Sequence, residues 1–198
     1  QHFPQLLDNM STTVSPMCAV SRYLKTVRPG VITVFIGPCI AKKSETLDLN
    51  IKDNADYAMT FGEMRAMLRA KDITLEPEDN SYQESSVFGK RFGNGGGVSA
   101  AVLECFKEMG EDIEPKVAKC SGGAECKKAL LLLKVGKLPE DFIEGMACVG
   151  GCVGGPSKHK AETEAKKDRD ALIASADGRK VLENLKKYPM DQFSMHRH

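Results

Sequence analysis

Short apolar runs rich in β-forming residues alternate along the chain with stretches of helical periodicity. The runs predicted as strands are 31–36, 56–60, 116–120 and 142–147. The predicted helices cover roughly 16–25, 62–71, 98–109, 124–135 and 177–187. This alternation is typical of βαβ units. We therefore predict an α/β fold with a mostly parallel sheet flanked by helices.

Local signals at the two ends of the chain refine this picture. Ser15 followed by Pro16 is a good N-cap and first-turn pair for the first helix. The segment 158–170 is mostly charged with few apolar positions, which is typical of a solvated helix or a linker. We predict one domain over 1–157, with 158–198 forming a charged helical segment that packs on it or follows it.

Two cysteine-containing loops follow predicted strands. Cys39 comes directly after the first strand, and Cys148 and Cys152 come after the fourth. Ligands of parallel sheets gather outside the carboxyl ends of the strands. Both loops therefore lie at the functional edge, provided that their strands are near neighbours.

The spacing of these cysteines predicts a metal centre. The glycines between Cys148 and Cys152 let the backbone fold tightly, so that both thiolates reach one metal. They also leave few side chains to pack, which makes an apolar-core role for these cysteines unconvincing. A 4Fe-4S cluster takes four thiolates, and Cys39 is the natural third. The sequence thus predicts an iron-sulfur site with one ligand missing.

A third glycine-rich loop, residues 92–98, leads into a predicted helix and contains Gly95, Gly96 and Gly97. Three interpretations stay open. The loop could form a wall of an anionic inorganic cluster, whose sulfides and cyanides accept amide hydrogen bonds. It could serve ordinary tight packing. It could also bind a phosphate at a helix N-terminus, although the lysine and serine of a P-loop are absent.

Composition excludes several partners. The 28 basic and 27 acidic residues leave a net charge of +1, so no global field attracts nucleic acid or an acidic membrane. No apolar run approaches the ~18 residues that a membrane span needs, and nothing resembles a signal peptide. Seven cysteines in such a chain favour reduced thiols or metal ligands. We predict a cytoplasmic protein with no nucleic-acid partner and no membrane span.

The other four cysteines have simpler interpretations. Cys120 and Cys126 form a C-x5-C pair at a strand-to-helix turn, which could bind a second metal or form a redox couple. Cys18 and Cys105 lie on predicted helices and are expected in the core.

Together these motifs resemble the catalytic H-cluster domain of FeFe hydrogenases. The family's M-P-C-x-x-K-x-x-E motif is matched by Pro38, Cys39, Lys42 and Glu45. Its M-A-C-x-G-G-C-x-x-G-G motif is matched by Met146, Ala147, Cys148, Gly150, Gly151, Cys152 and Gly155. Residues 92–98 look like its F-G-x-x-G-G-V, and residues 3–7 and 11–16 are similar to the stretch after its first motif. These ordered landmarks cover nearly the whole chain.

The resemblance implies a 4Fe-4S cubane joined to a di-iron subcluster that carries carbon monoxide, cyanide and a dithiolate. Cys39 and Cys148 would be terminal cubane ligands, and Cys152 would bridge to the di-iron unit. Pro38, Ser15 and the glycines 95–97 would line the cofactor.

Four further residues receive roles from the same resemblance. Lys42 would hold a cyanide, since an ammonium offers three donors. Glu45 would orient Lys42 or balance its charge, unless the two form a plain surface pair. Met146 would pack beside the di-iron unit. Ser11 matches a serine of the family's proton path, with a cap or turn hydroxyl as the alternative.

The implied activity is reversible oxidation of H2 to protons, with a ferredoxin-like or intramolecular iron-sulfur electron partner. The protein would be a metabolic enzyme or a hydrogen or redox sensor. Two alternatives stay open. One is a hydrogenase-like 4Fe-4S protein without hydrogenase activity, acting in cluster assembly or electron transfer. The other is a structural zinc module that uses the three cysteines of the two loops.

Departures from the family pattern also carry information. The T-S-C-C-P motif is absent, and the chain begins just after its expected place, so we expect a fragment whose parent supplies the fourth ligand and a proton-shuttling thiol. Alone, it should be inactive and hold no complete cluster. Gly37, Val149 and Val14 stand where the family has methionine, proline and lysine. These changes favour a divergent branch that resembles the sensory hydrogenases.

Overall fold

The computed structural model describes residues 2–76 and 84–197. The strands formed by these residues are β1 Val34–Gly37, β2 Tyr57–Thr60, β3 Val117–Ser121 and β4 Phe142–Met146. The α-helices are α1 Pro16–Val27, α2 Ala41–Thr46, α3 Phe61–Ala70, α4 Val87–Lys90, α5 Gly97–Met109, α6 Gly123–Lys134, α7 Glu162–Ala174 and α8 Val181–Leu185. Short 3-10 helices cover Pro4–Asn9 and Cys152–Gly154.

The chain divides into two compact units. The Cys148 unit contains the described residues within 1–11, 85–155 and 160–187. The Cys39 unit contains those within 12–84, 156–159 and 188–198. Each unit has its own pair of parallel strands, and each is described separately.

In the Cys39 unit, β1 pairs with β2, with Val34 opposite Tyr57. Helix α1 begins as predicted, because the Ser15 hydroxyl accepts a hydrogen bond from the amide of Cys18 and Pro16 occupies the first turn. Cys18 is fully buried in a small apolar cluster with two other side chains, Val14 and Ile51. The core role expected for Cys18 is therefore confirmed. Val14, which stands where the resembled family has a lysine, is also in the core, whereas a lysine would prefer the surface.

In the Cys148 unit, β3 pairs with β4, with Val117 opposite Phe142. Helices α5 and α6 follow glycines, as expected for helices that begin at tight turns. Gly96 precedes α5 with φ of 84° and Gly110 ends it with φ of 77°. Glycine suits both positions because other residues adopt these left-handed angles only with strain.

The structure confirms the α/β fold with parallel strands and with cysteine loops at the carboxyl ends of strands. The first strand is shorter than predicted, because Thr33 directs its amide to the Asp56 carboxylate at 2.7 Å and not to a strand. The last helix is also shorter, because the Asp177 carboxylate accepts the amide of Arg179 and favours a turn there. The charged segment near 158–170 contains most of α7, so of its two interpretations the helix is the correct one.

The predicted single sheet is replaced, among the described residues, by two separate two-stranded ladders. As a result, β1 and β4 are not paired neighbours. The predicted domain boundary at 157/158 stays a prediction. Within the same described ranges, no helix is long and apolar enough to cross a bilayer.

Candidate functional site

The double-cysteine loop, residues 147–155, leaves β4 through a glycine turn. Gly150 and Gly151 have φ of 81° and 79°, which other residues adopt only with strain. The amide of Gly151 closes the turn by donating to the carbonyl of Cys148 at 3.1 Å. The thiol-bearing residues differ in exposure, since Cys148 is half-buried and Cys152 is exposed. The turn therefore holds the two cysteines close together in one loop.

This loop is hydrogen-bonded to the glycine loop, residues 92–97. The amide of Cys152 donates to the carbonyl oxygen of Gly93 at 2.8 Å. A Cβ atom on Gly151 would lie only 2.2 Å from the same oxygen. Gly151 is thus required both by its φ and by the close approach of two backbones.

A buried carboxylate holds the other end of the glycine loop. Glu144 lies on β4, is only 6% exposed, and accepts the amides of Gly96 and Ser99 at 2.9 and 2.8 Å. The amide of Val98 donates to the same carboxylate at 3.3 Å. Amides at a helix N-terminus are natural anion sites, but here the protein's own carboxylate takes them. This argues against the phosphate interpretation of the loop.

Glu144 was not among the residues predicted for the site. The signal that could have revealed it is a carboxylate in the middle of an otherwise apolar strand. Charged side chains are rarely buried without partners, so such a residue needs donors from another element.

The three glycines predicted to bind the cofactor have different surroundings. A Cβ atom on Gly97 would lie 1.9 Å from the carbonyl oxygen of Arg91, so this glycine serves tight packing. Gly96 is needed for its left-handed φ. Around Gly95 a Cβ atom would meet no described atom within 4 Å. In the same loop, the side-chain oxygen of Asn94 is buried and has no hydrogen-bond partner among the described residues.

The turn between β3 and α6 supports the double-cysteine loop from a second side. The amide of Gly150 donates to the Ser121 hydroxyl at 3.1 Å, and the amide of Gly122 donates to the carbonyl of Met146 at 2.7 Å. A Cβ atom on Gly122 would lie 2.8 Å from a methyl carbon of Val149. Val149, which replaces the family's proline, therefore packs on a position where only glycine fits.

In the Cys39 unit, the predicted ligand lies in the turn between β1 and α2. Cys39 is half-buried, and its carbonyl accepts the amide of Lys42 at 3.3 Å. The carbonyl of the preceding Pro38 accepts the amide of Ser157 at 3.3 Å. The turn is therefore tied to α2 on one side and to a second chain segment on the other.

Lys42, Glu45 and Ser15 form a continuous polar chain. The Lys42 ammonium donates to Glu45 at 2.6 Å, and the two side chains are only 21% and 16% exposed. The Ser15 hydroxyl donates to the other oxygen of the Glu45 carboxylate. The pair is partly buried, so it is not the plain surface pair that the sequence had left as an alternative.

The glycine at position 37 has a structural explanation. The ring of Phe35 lies 2.7 Å from the place where a Cβ atom on Gly37 would stand. A methionine at this position would force the ring to move, because real Cβ atoms do not approach other carbons so closely. Phe35 thus occupies the space that the family's larger side chain would need.

The predicted site residues divide between the two units. The Cys39 unit contains Ser15, Pro38, Cys39, Lys42 and Glu45, and the Cys148 unit contains Ser11, Gly95, Gly96, Gly97, Met146, Cys148 and Cys152. Within the units the structure joins Lys42 with Glu45 and Ser15, and Cys152 with the glycine loop. Ser11 is exposed, and its role in a proton path stays a prediction. Across residues 2–76 and 84–197, no group of three or more His, Cys, Asp or Glu side chains has metal-binding geometry.

The family model for the iron-only hydrogenase large subunit, C-terminal domain, matches residues 1–156. The chain belongs to this family. Family members bind the H-cluster, a 4Fe-4S cluster joined to a di-iron subcluster.

Individual relatives of this hydrogenase-family chain are distant. The chain is 30% identical over 197 residues to the periplasmic Fe hydrogenase large subunit of Nitratidesulfovibrio vulgaris, a match covering 78% of the chain and 47% of the relative. It is 24% identical over 233 residues to a probable cytosolic Fe-S cluster assembly factor of Brugia malayi, covering 94% of the chain and 52% of the relative. The chain thus spans about half the length of these curated relatives.

Solved structures confirm the fold. A single-residue variant of FeFe-hydrogenase HydA1 from Chlamydomonas reinhardtii superposes with a TM-score of 0.69 at 18% identity, over 100% of this chain and 70% of that one. The shared architecture is the α/β hydrogenase domain.

The residues present fit an iron-sulfur group in their chemistry. Thiolates are the ligands that Fe-S clusters use, and each of the three candidate cysteines carries a thiol in a loop directly after a strand.

Proposed function

We propose that this chain is the part of an FeFe hydrogenase domain that holds the H-cluster, and that the whole protein interconverts H2 with protons and electrons. The observation that best supports this is the attachment of the double-cysteine loop to the glycine loop through Cys152 and Gly93. Both segments match family motifs, and this hydrogen bond holds the two motifs side by side. The glycine loop positions a metal ligand.

The cysteines would act as cluster ligands. In this proposal Cys39 and Cys148 would hold the cubane as thiolate ligands, and Cys152 would hold it together with the di-iron unit. Their assignment to one cubane rests on the ordered sequence motifs. When bound, the cofactor supplies the iron that reacts with H2 and the electrons that are exchanged, while the protein supplies ligation and orientation.

Lys42 would bind an anionic ligand of the cofactor. Its ammonium has three donors, and one of them goes to Glu45 at 2.6 Å. Because Glu45 also accepts from Ser15, its carboxylate is held from a second side and limits where the ammonium can point. Glu45 and Ser15 are therefore positioning residues, Met146 packs beside the di-iron unit, and Ser11 contributes a hydroxyl to proton transfer.

A hydrogenase-like cluster protein is the second candidate. It is favoured by the match to the cluster assembly factor, which covers 94% of the chain. The substitutions at Gly37 and Val149 also place the chain away from the usual family pattern. Within the hydrogenase proposal, these substitutions favour a hydrogen or redox sensor. The proposal also includes a cytoplasmic location and an electron partner that is a ferredoxin-like protein or an intramolecular iron-sulfur cluster.

Metal content is the first test. The full-length protein would be reconstituted anaerobically with iron and sulfide, and its iron, sulfide and EPR signal measured. We expect a 4Fe-4S signal that Cys39→Ser and Cys148→Ser reduce strongly, while Cys105→Ser, on α5, leaves it unchanged. A protein that takes up zinc and not iron would contradict both candidate functions and support a structural zinc module.

Hydrogen chemistry is the second test. After addition of the di-iron cofactor, H2/D2 exchange is measured for the natural protein and for Cys152→Ala. Exchange that is lost in the variant supports hydrogenase activity. A complete cubane without any exchange would contradict the hydrogenase proposal and favour the cluster-only protein.

A further inference from the structure

A pair of cysteines outside the proposed cluster site occupies the turn between β3 and α6. Cys120 lies on β3 and is only 7% exposed. Cys126 lies in the first turns of α6 and is half-buried. The turn between them also carries the two hydrogen bonds described above, one with Gly150 of the double-cysteine loop and one with Met146, the last residue of β4.

Strand register brings these two residues together. Cys120 is paired with Gly145 of β4, so their side-chain positions lie on the same face of the ladder. Gly145 has no side chain, and a Cβ atom there would lie 3.1 Å from the sulfur of Cys126. The Cys126 sulfur therefore occupies the space beside Cys120 that a larger residue at 145 would fill.

The local environment also separates the two thiols in reactivity. Burial, and next the neighbouring Cys126, raise the pKa of Cys120. Cys126 is the more accessible residue, and its sulfur contacts the carbonyl of Met146 at 3.7 Å. An accessible thiol beside a buried one is the arrangement in which one residue attacks and the other completes the reaction.

We propose that Cys120 and Cys126 form a reversible dithiol-disulfide couple. The Cys126 thiolate attacks one sulfur of a small-molecule disulfide, forms a mixed disulfide and releases one thiolate. Cys120 then loses its proton to solvent, and its thiolate attacks the Cys126 sulfur and releases the second thiolate. Two protein thiols are thereby oxidised, and one small disulfide is reduced to two thiols. A metal site is disfavoured, because these two thiols have no third ligand of metal-binding geometry among the described residues.

The couple is placed where it can affect the double-cysteine loop. Ser121 and Gly122, which lie inside the ring that the disulfide would close, contact Gly150 and Met146. Oxidation would therefore change the turn that supports this loop. This second part of the inference rests on the proposed function, whereas formation of the disulfide does not.

Thiol trapping tests the couple directly. The full chain is equilibrated in buffers of increasing oxidised-to-reduced glutathione ratio, quenched in acid, unfolded and alkylated. Trypsin cleaves after Lys119 and Lys127, so residues 120–127 form one peptide that contains both cysteines. We expect this peptide to lose both labels and two hydrogens as the ratio rises, and to regain both labels after reduction.

Controls keep the result specific. Cys105 lies in a different tryptic peptide and should keep its label at ratios that oxidise the 120–127 peptide. In Cys120→Ser, a form of the 120–127 peptide that has lost two hydrogens should be absent, because Cys126 then has no partner thiol in this peptide. Two labels at every ratio, or cross-links from this peptide to other cysteines, would overturn the couple. Because trapping needs no cluster, this result is independent of the proposed function. Unchanged amide hydrogen exchange around Gly150 after oxidation would overturn the link to the loop.

Discussion

The backbone amide of Cys152 donates to the carbonyl oxygen of Gly93 at 2.8 Å. This bond joins two motifs that are far apart in the sequence through main-chain atoms. No side-chain substitution at either residue removes the bond directly. The position of the proposed bridging ligand consequently depends on the glycine loop and on what holds that loop in place. The first two predictions follow from this dependence.

Gly151→Ala should destabilise the Cys148 unit more than an ordinary left-handed glycine replacement does. Gly110→Ala is the comparison, because Gly110 has a φ of 77°, against 79° for Gly151, and a Cβ atom there meets nothing described within 4 Å. The two positions differ in ψ, which is 18° at Gly110 and −155° at Gly151. The control should lose about 1–2 kcal/mol of unfolding free energy. Gly151→Ala should lose about 1–3 kcal/mol more, because its Cβ atom meets the Gly93 oxygen and because alanine avoids its combination of φ and ψ. Urea unfolding measures both, and equal losses would contradict the close approach.

Glu144→Gln should weaken the attachment of the glycine loop to β4. The neutral amide retains the shape of the side chain but loses charge-assisted bonds from three backbone amides, so we expect a loss of about 1.5–3 kcal/mol. Glu111→Gln, at an exposed position of the same unit, should change stability very little. Hydrogen exchange of Ser99 should also become faster in the Glu144 variant alone. Unchanged protection there would refute this role for Glu144.

Glu45→Gln should release Lys42 from its present orientation. The variant loses a partly buried charge-assisted bond, and we expect a loss of about 1–3 kcal/mol in unfolding free energy. The comparison is Glu63→Gln, which breaks the more exposed pair of Lys43 with Glu63 in the same unit. Glu63 also accepts the amide of Thr60 in the capping box of α3, a bond that glutamine can keep. The effect of Glu63→Gln should be smaller, because water screens exposed pairs. If the two variants lose equal stability, the buried pair has no special role.

Asp56 should make the Cys39 unit sensitive to acid. Hydrogen bonds from Thr33 and then Lys25 hold the pKa of Asp56 at about 2, below its ordinary value of 3.8. The folded state therefore gains stability from the ionised carboxylate above about pH 4, and this gain disappears as the pH falls from about 3.8 through about 2. Asp56→Asn should cost about 1 kcal/mol at pH 5, a value reduced by solvent because the side chain is 34% exposed. This cost should fall as the pH approaches 2 and should be almost absent at about pH 1.5.

Asp177 supplies the control for this pH dependence. Hydrogen bonds from Arg179 also hold the pKa of Asp177 at about 2, but the Asp177 side chain is exposed and its partner lies only two residues away. Asp177→Asn should leave stability nearly unchanged at pH 5, because exposed pairs contribute little. Chemical unfolding at pH 5, 3.5 and 1.5 distinguishes the two variants. A loss for Asp56→Asn that persists at the lowest pH would show that the carboxylate's charge is not responsible.

Local patterns in the sequence determined much of this protein. Strand-to-helix alternation predicted β3, β4, α5 and α6 to within about a residue, since hydrophobic periodicity and capping are properties of neighbouring residues. The cap formed by Ser15 was predictable for the same reason. The ordered cysteine and glycine motifs likewise indicated the family, because each motif is a short segment with a fixed spacing.

Only the tertiary structure decided how these segments meet. It selected Glu144 as the partner of the α5 amides, separated β1 and β4 into different ladders, and placed the Cys126 sulfur over Gly145. Such contacts join residues that are far apart along the chain, and no local sequence pattern predicts which of them will meet. They arise because backbone groups and buried charges must find partners once the chain has packed, and that requirement depends on the whole fold.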